Sequence, residues 1–189
     1  MRLILASASP RRAELLTSAG FTFEVAPAEI DESLRPDEAP EAYALRVASE
    51  KAEVVARRFA SVPAVILAAD TVVVAAQGIL GKPEHEADAQ RMLRILAGTV
   101  HTVLTAVVVR AAGREMKEVA TTRVRLSPLT DSEIEWYVST GEPDGKAGAY
   151  AIQGGAARFV EWIEGSWSNV VGLPVATVYR MLRAAGVIS

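Results

Sequence analysis

The stretch TVHTVLTAVVVRAAGREMKEVATTRVRL, Thr99–Leu126, decides the fold class. Thr99–Ala111 is rich in Val and Thr, which fit a pleated, half-buried surface, and Glu115–Leu126 interleaves such residues with polar ones. Between them AAGR supplies a turn, so the two runs read as long antiparallel strands of one hairpin. A third run, Val65–Ala75, is almost uninterrupted apolar sequence and reads as a strand buried on both sides. The segments around these runs mix helices and strands without a regular βαβ succession. The expected class is mixed α/β with long antiparallel strands.

Working outward, LILASASPRR (Leu3–Arg12) passes from a first strand, Arg2–Ala6, through small residues into a helix, Pro10–Ser18, closed by Gly20. Ser9 is placed to cap that helix and Pro10 suits its first position. Phe21–Ala26 reads as a second strand and the acidic Pro27–Pro40 as loop. Pro40–Arg58 is a helix with Ala44, Ala48, Lys51 and Val55 on one face. AAQG turns the chain, HEADAQRMLRILAG is a helix closed by Gly98, and SPLTDSEIEWYVSTG is another, capped by Thr130 or Asp131. A glycine-rich loop, EPDGKAGAYAIQGGAA, leads to a strand at Arg158–Ile163 and a last helix at Leu173–Ala185.

With 189 residues, half of them hydrophobic, the chain suits one domain, or one elongated domain with two lobes. A net charge of −3 disfavours a general nucleic-acid surface. The absence of cysteine excludes disulfides, thiolate zinc sites and cysteine nucleophiles. His85 and His101, the only histidines, cannot make a three-histidine zinc site; His85 is expected at an exposed helix start and His101 in a structural role. No Gly-x-Ser-x-Gly elbow is present. The first apolar run ends at Ala6, short for a signal peptide, and no run approaches the roughly 20 apolar residues that span a bilayer. A cytoplasmic location is expected. Trp136, Trp162 and Trp167 are not spaced as a stacking platform and read as core or interface residues.

Several residues break local rules. Arg11 and Arg12 stand at a helix N-terminus, where the macrodipole disfavours a cation by about 0.3–1 kcal/mol each. Asp70 interrupts AVILAADTVVVA, and a buried carboxylate needs a partner; a site carboxylate and a strand-end acid bonded to a turn both satisfy that. Among 20 Lys and Arg residues only Lys51, Lys82, Lys117 and Lys146 are lysine, which singles out positions suited to a compact ammonium. Lys51 lies on an apolar helix face and Lys82 in GILGKP, whose spacing fails the P-loop rule. Each also reads plainly, as a snorkelling stem and a turn lysine. Gathered around a helix N-terminus, these cations would form a polyphosphate site, with Asp70 and the acids of IDES (Asp31, Glu32) holding magnesium against it.

The same residues carry a resemblance. LASASPRRAELL, IDES, SEKA, ADTVV, GKP, HTVLTAV, TGEP, KAGAYAIQG and NVVGLP, in that order along nearly the whole chain, resemble the Maf-type nucleoside triphosphate pyrophosphatases. TGEP with AGAYAIQG and GSWSNVVGLP resembles the branch acting on dTTP and UTP rather than on 7-methyl-GTP. The resemblance implies a single Maf-like domain over residues 1–189. It implies an elongated α/β fold like that of inosine-triphosphate pyrophosphatases, with two lobes and a central cleft. The implied activity is hydrolysis of the α–β phosphoanhydride to a nucleoside monophosphate and pyrophosphate, with a divalent metal cation, Mg2+ or Mn2+, as cofactor. By motif matching, Ser7, Arg11, Arg12, Lys51 and Lys82 bind the phosphates, Lys51 and Lys82 forming the catalytic set with Asp70. Asp70 is the proton acceptor or metal-linked base and Glu32 its metal partner. Arg11, Thr71 and Gln153 bear on substrate choice.

One departure is visible. The family commonly has Asp directly before the Lys of KAG; here that position is Gly145 and the acid is Asp144. The implied partner is a nucleoside triphosphate, with no nucleic acid and no membrane, and a homodimer remains open. A non-catalytic nucleotide-binding regulator of cell division and a phosphotransferase are the alternative readings.

Overall fold

The computed structural model describes residues 1–188. Its strands are β1 (Arg2–Leu5), β2 (Glu24–Val25), β3 (Ala64–Ala75), β4 (Gly78–Leu80), β5 (Val100–Ala111), β6 (Arg114–Leu126) and β7 (Val160–Glu164). Its helices are α1 (Pro10–Ser18), α2 (Pro40–Arg58), α3 (Glu86–Leu96), α4 (Asp131–Ser139), α5 (Trp167–Val171) and α6 (Val175–Ala184). The seven strands form one sheet in the order β2-β1-β3-β5-β6-β7, with β4 attached to β3. β1 runs parallel to β2 and β3, whereas β4 is antiparallel to β3 and β7 to β6. This is the mixed α/β class that the long hairpin implied. The β5–β6 turn is the two residues Ala112 and Gly113, both at positive φ (48° and 77°), the backbone that a tight hairpin on right-twisted strands requires. No described helix is long and apolar enough to cross a membrane.

Two compact units share the chain. The first comprises Met1–Thr71, Thr105–Ala120 and the segment from Gly172; the second comprises Val72–Leu104 and Thr121–Val171. In the first unit, strand alternation sorts the core. Leu3, Leu5, Val65, Leu67, Ala69, Val107 and Val109 share one buried cluster with Leu16 of α1 and Val178, Met181 and Leu182 of α6. Ile4, Ile66 and Ala68 have the opposite parity and are equally buried. The buried stripe of α2 is Ala44, Val47, Ala48, Lys51, Ala52 and Val55.

In the second unit, α3 buries Ala89, Met92, Leu93 and Leu96 and packs on α4. A reciprocal capping box between Thr130 and Glu133 opens α4. Tyr137 of α4 meets Phe159 edge-on, with ring centroids 5.9 Å apart. His101 is buried and 2.8 Å from the Tyr150 hydroxyl, the structural role expected of it.

Burial lowers the His101 pKa from 6.5 to about 4. The unfolded chain therefore takes up this proton before the folded chain does. The stabilisation is complete above about pH 6.5 and is lost as the pH falls towards 4. Between pH 7.5 and 5 that amounts to about 2 kcal/mol. Urea unfolding at the two pH values should show this loss, and His101→Gln should flatten it.

Several sequence expectations are corrected. Ser9 occupies the N-cap of α1, but its side chain makes no capping bond; its N–H instead donates to Ser7 Oγ at 3.2 Å. The second strand shrinks from Phe21–Ala26 to the two residues of β2. Past AAQG the chain pairs back on β3 as β4, and a short helix, α5, occupies part of a stretch read as connection. β7 begins only at Val160, because Gly155–Phe159 forms a 3-10 turn. Of the two readings of the tryptophans, core or interface, the core one is excluded: Trp136, Trp162 and Trp167 are 41%, 39% and 45% exposed. Trp136 lies under the Arg158 guanidinium, 4.0 Å from the ring centroid, on the side of α4 away from its buried Ile134, Tyr137 and Val138.

Candidate functional site

Adjacent residues of β3 supply two clusters in the first unit. Successive strand side chains point to opposite faces, so Asp70 takes the parity of Ile66 and Ala68, and Thr71 that of Leu67 and Ala69. Asp70 is 7% exposed and its Oδ1 accepts from Lys51 Nζ at 2.9 Å. The same ammonium is 2.8 Å from Glu32 Oε1, so two carboxylates converge on one cation. Lys51 reaches them from the buried stripe of α2. Tyr43, eight residues earlier and on the same helix face, donates its hydroxyl to the Glu32 carbonyl at 2.7 Å. The acidic loop is thereby tied to the helix that carries the lysine.

Thr71 meets Arg12 of α1. The Arg12 Nη2 donates to Thr71 Oγ1 at 3.0 Å, Nη1 to Ser7 Oγ at 3.1 Å, and Nε to the Gly172 carbonyl at 2.8 Å. Thr71 Oγ1 is also 2.9 Å from Thr105 Oγ1. Gly172 has φ +127°, a backbone that side chains rarely adopt, and this aims its carbonyl at the guanidinium. Burial pushes the Arg12 pKa down while Asp70 pulls it up. A guanidinium does not lose its proton, so Arg12 remains a buried cation. Three neutral oxygens satisfy three of its five N–H donors, which leaves two for an anion. Hence a cation is tolerated at this helix start: Arg12 turns inward on oxygen acceptors. Ser7 itself follows the carboxyl end of β1, the end where open α/β sheets bind ligands.

The expected site residues are thus partly gathered. Ser7, Arg12 and Thr71 share one hydrogen-bonded cluster, and Lys51, Asp70 and Glu32 another. Arg11 is half-buried on α1. Lys82 and Gln153 belong to the second unit and both are exposed, Lys82 just after β4 and Gln153 in the turn closed by Gly154 N–H to the Ala151 carbonyl at 3.0 Å. Sequence reasoning missed Tyr43, Thr105 and Gly172. Tyr43 was findable, since it shares the face of Lys51 two turns earlier. Thr105 and the Gly172 carbonyl carry no local signal.

Among the described residues no group of three or more His, Asp or Glu side chains could hold a metal ion. The two converging carboxylates still fit a hard divalent cation, because magnesium commonly takes one or two carboxylates and fills its remaining positions with phosphate oxygens and water.

A model of the Maf-like protein family matches residues 2–185. The chain belongs to the Maf family. It is 54% identical over 190 residues to a dTTP/UTP pyrophosphatase of Anaeromyxobacter dehalogenans, covering 98% of this chain and 94% of the relative. It is 50% identical over 188 residues to one of Koribacter versatilis, covering 100% and 96%. It is 50% identical over 187 residues to one of Geobacter sulfurreducens, covering 98% and 97%. This Maf chain also explains its own departure at KAG. Gly145 has φ +68°, so the residue before Lys146 sits in left-handed backbone that suits glycine better than aspartate.

Proposed function

We propose that this Maf chain hydrolyses dTTP and UTP at the α–β phosphoanhydride, giving the nucleoside monophosphate and pyrophosphate. The observation that carries the reading is its 54% identity, over 98% of its length, to a protein named for that activity. The buried Lys51–Asp70 pair supports it chemically. Asp70 accepts a proton from the attacking water. Lys51 orients that carboxylate and, with two of its three N–H donors on Asp70 and Glu32, retains one for a phosphate oxygen. Arg12 offers its two remaining donors to phosphate, pre-positioned by Ser7, Thr71 and Gly172. Glu32 and Asp70 would hold a divalent cation, Mg2+ or Mn2+, whose chemistry is to neutralise phosphate charge and acidify a bound water. Gln153 reads the base: its amide has a donor and an acceptor for the carbonyl–NH–carbonyl edge shared by uracil and thymine.

The test is a nucleotide panel with magnesium and product identification. Monophosphate and pyrophosphate from dTTP and UTP are expected. Binding without turnover, or a diphosphate with inorganic phosphate, would overturn the reading.

Lysine usage gives a second check. Lys82→Met should weaken kcat/KM by about 2–4 kcal/mol, the worth of a preorganised electrostatic contact. Lys117 forms an exposed pair with Glu115 at 2.7 Å, and such pairs contribute about 0–1 kcal/mol. Lys117→Met should therefore leave activity and stability nearly unchanged. Equal losses at the two positions would remove Lys82 from the site.

A further inference from the structure

In the second unit one carboxylate organises the turn that carries Gln153. Glu142 follows α4, and its Oε1 accepts the Tyr137 hydroxyl at 2.6 Å. Its Oε2 accepts the Gly155 N–H at 2.8 Å, and Oε1 the Ala156 N–H at 3.4 Å. The Tyr137 hydroxyl, while donating to Glu142, accepts the Ala151 N–H at 3.0 Å. Tyr137 and Glu142 therefore grip the backbone on both sides of Gln153, at Ala151 before it and at Gly155 and Ala156 after it. Between the two grips lies the turn closed by Gly154 N–H on the Ala151 carbonyl. Gly154 is dictated by the same clamp, because a Cβ there would fall on the Glu142 carboxylate.

The frame is rigid where the reading group is free. Tyr137 is fully buried and Ala151 and Ile152 nearly so, whereas Gln153 is exposed. Every group facing the Glu142 carboxylate is a donor, so only an anion with two acceptor oxygens satisfies all of them. A glutamine would set its NH2 against one of these donors. This is a way to hold an amide at a fixed height and angle, which a flexible glycine-rich loop cannot do alone. Fixed geometry matters most for Gln153, because an amide that can reorient pairs with cytosine as readily as with uracil or thymine.

We propose that Glu142, acting through Tyr137 and the backbone of residues 151–156, is the positioning residue that sets the pyrimidine selectivity of Gln153. This rests on the reading of Gln153 as the base-contacting residue. The measurements are kcat/KM for dTTP, UTP and CTP, with melting temperatures, in Glu142→Gln, Tyr137→Phe, Gln153→Ala and the Glu142→Gln/Gln153→Ala double variant. Glu142→Gln should lower the dTTP/CTP and UTP/CTP ratios by about tenfold, roughly the worth of one misdirected hydrogen bond. Tyr137→Phe keeps the ring, the carboxylate and the carboxylate's bonds to Gly155 and Ala156, removes the hydroxyl's bonds to Ala151 and Glu142, and should shift the ratios the same way; it also carries the test if Glu142→Gln fails to fold. In the double variant the ratios should equal those of Gln153→Ala alone, because positioning has no effect without the group it positions.

Unchanged ratios in Gln153→Ala would overturn the base-reading role and the clamp proposal with it. Altered ratios in Gln153→Ala, with wild-type ratios in both Glu142→Gln and Tyr137→Phe, would overturn the clamp alone. Equal losses on all three nucleotides with a lowered melting temperature would reduce the clamp to a structural brace.

Discussion

Asp70→Asn is expected to lower kcat by about 100-fold or more while the protein remains folded, the range found when a general base is removed. The geometry makes the two effects separable. Asp70 is buried and bonded to Lys51, yet Lys51 is also bonded to Glu32, so neutralising Asp70 leaves the ammonium with an ionised partner. The asparagine oxygen can still accept from Nζ at the same position. What disappears is the carboxylate that takes a proton from water. Lys51→Met should behave differently, because it strands the buried Asp70 carboxylate. Breaking a buried pair from one side typically costs about 3–5 kcal/mol, so this variant should lose stability as well as activity. Near-normal kcat in Asp70→Asn would remove the residue from proton transfer. A melting temperature that falls as far in Asp70→Asn as in Lys51→Met would show that the pair is chiefly structural.

What the sequence revealed of this site follows from how local each signal is. Asp70 was legible because it breaks an apolar run, and Lys51 because it sits on an apolar helix face. The helix from Pro40 to about Arg58 was legible in its extent, because its face repeats cleanly between a proline start and a basic end. The pairing of Asp70 with Lys51 was not legible, since it depends on which face of the sheet α2 covers. The Gly172 carbonyl was invisible for a stronger reason: it is a backbone atom 160 residues from Arg12. The core reading of Trp136 failed because large aromatic area usually goes inside, whereas here Tyr137 takes the buried place on α4 and Trp136 finds a guanidinium. The clamp around Gln153 lay in full view as TGEP and AIQGG, but the hydrogen bonds that join them cross from a helix end to a turn. Family resemblance gave the motifs an order. The structure adds which of them share hydrogen bonds.

Arg12→Ala is expected to lower kcat/KM by about 2–4 kcal/mol, the loss typical of a preorganised charge-stabilising contact. It should also lower the melting temperature, because the Gly172 carbonyl and the Ser7 hydroxyl each lose one buried donor, worth about 0.5–1.5 kcal/mol apiece, while keeping Thr71 Oγ1 at 3.3 Å and the Ser9 N–H at 3.2 Å. Thr71 likewise keeps Thr105. The alanine variant alone would confuse the two effects, and Arg12→Lys separates them. Lysine preserves the charge and most of the buried stem, but its ammonium cannot replace a planar fork that reaches Ser7, Thr71 and Gly172 at once while keeping two donors free. Arg12→Lys should therefore recover much of the melting temperature and little of the catalytic loss. If charge alone were what the phosphates require, Arg12→Lys would restore kcat/KM as well, and the oxygen cradle of Ser7, Thr71 and Gly172 would have no part in catalysis.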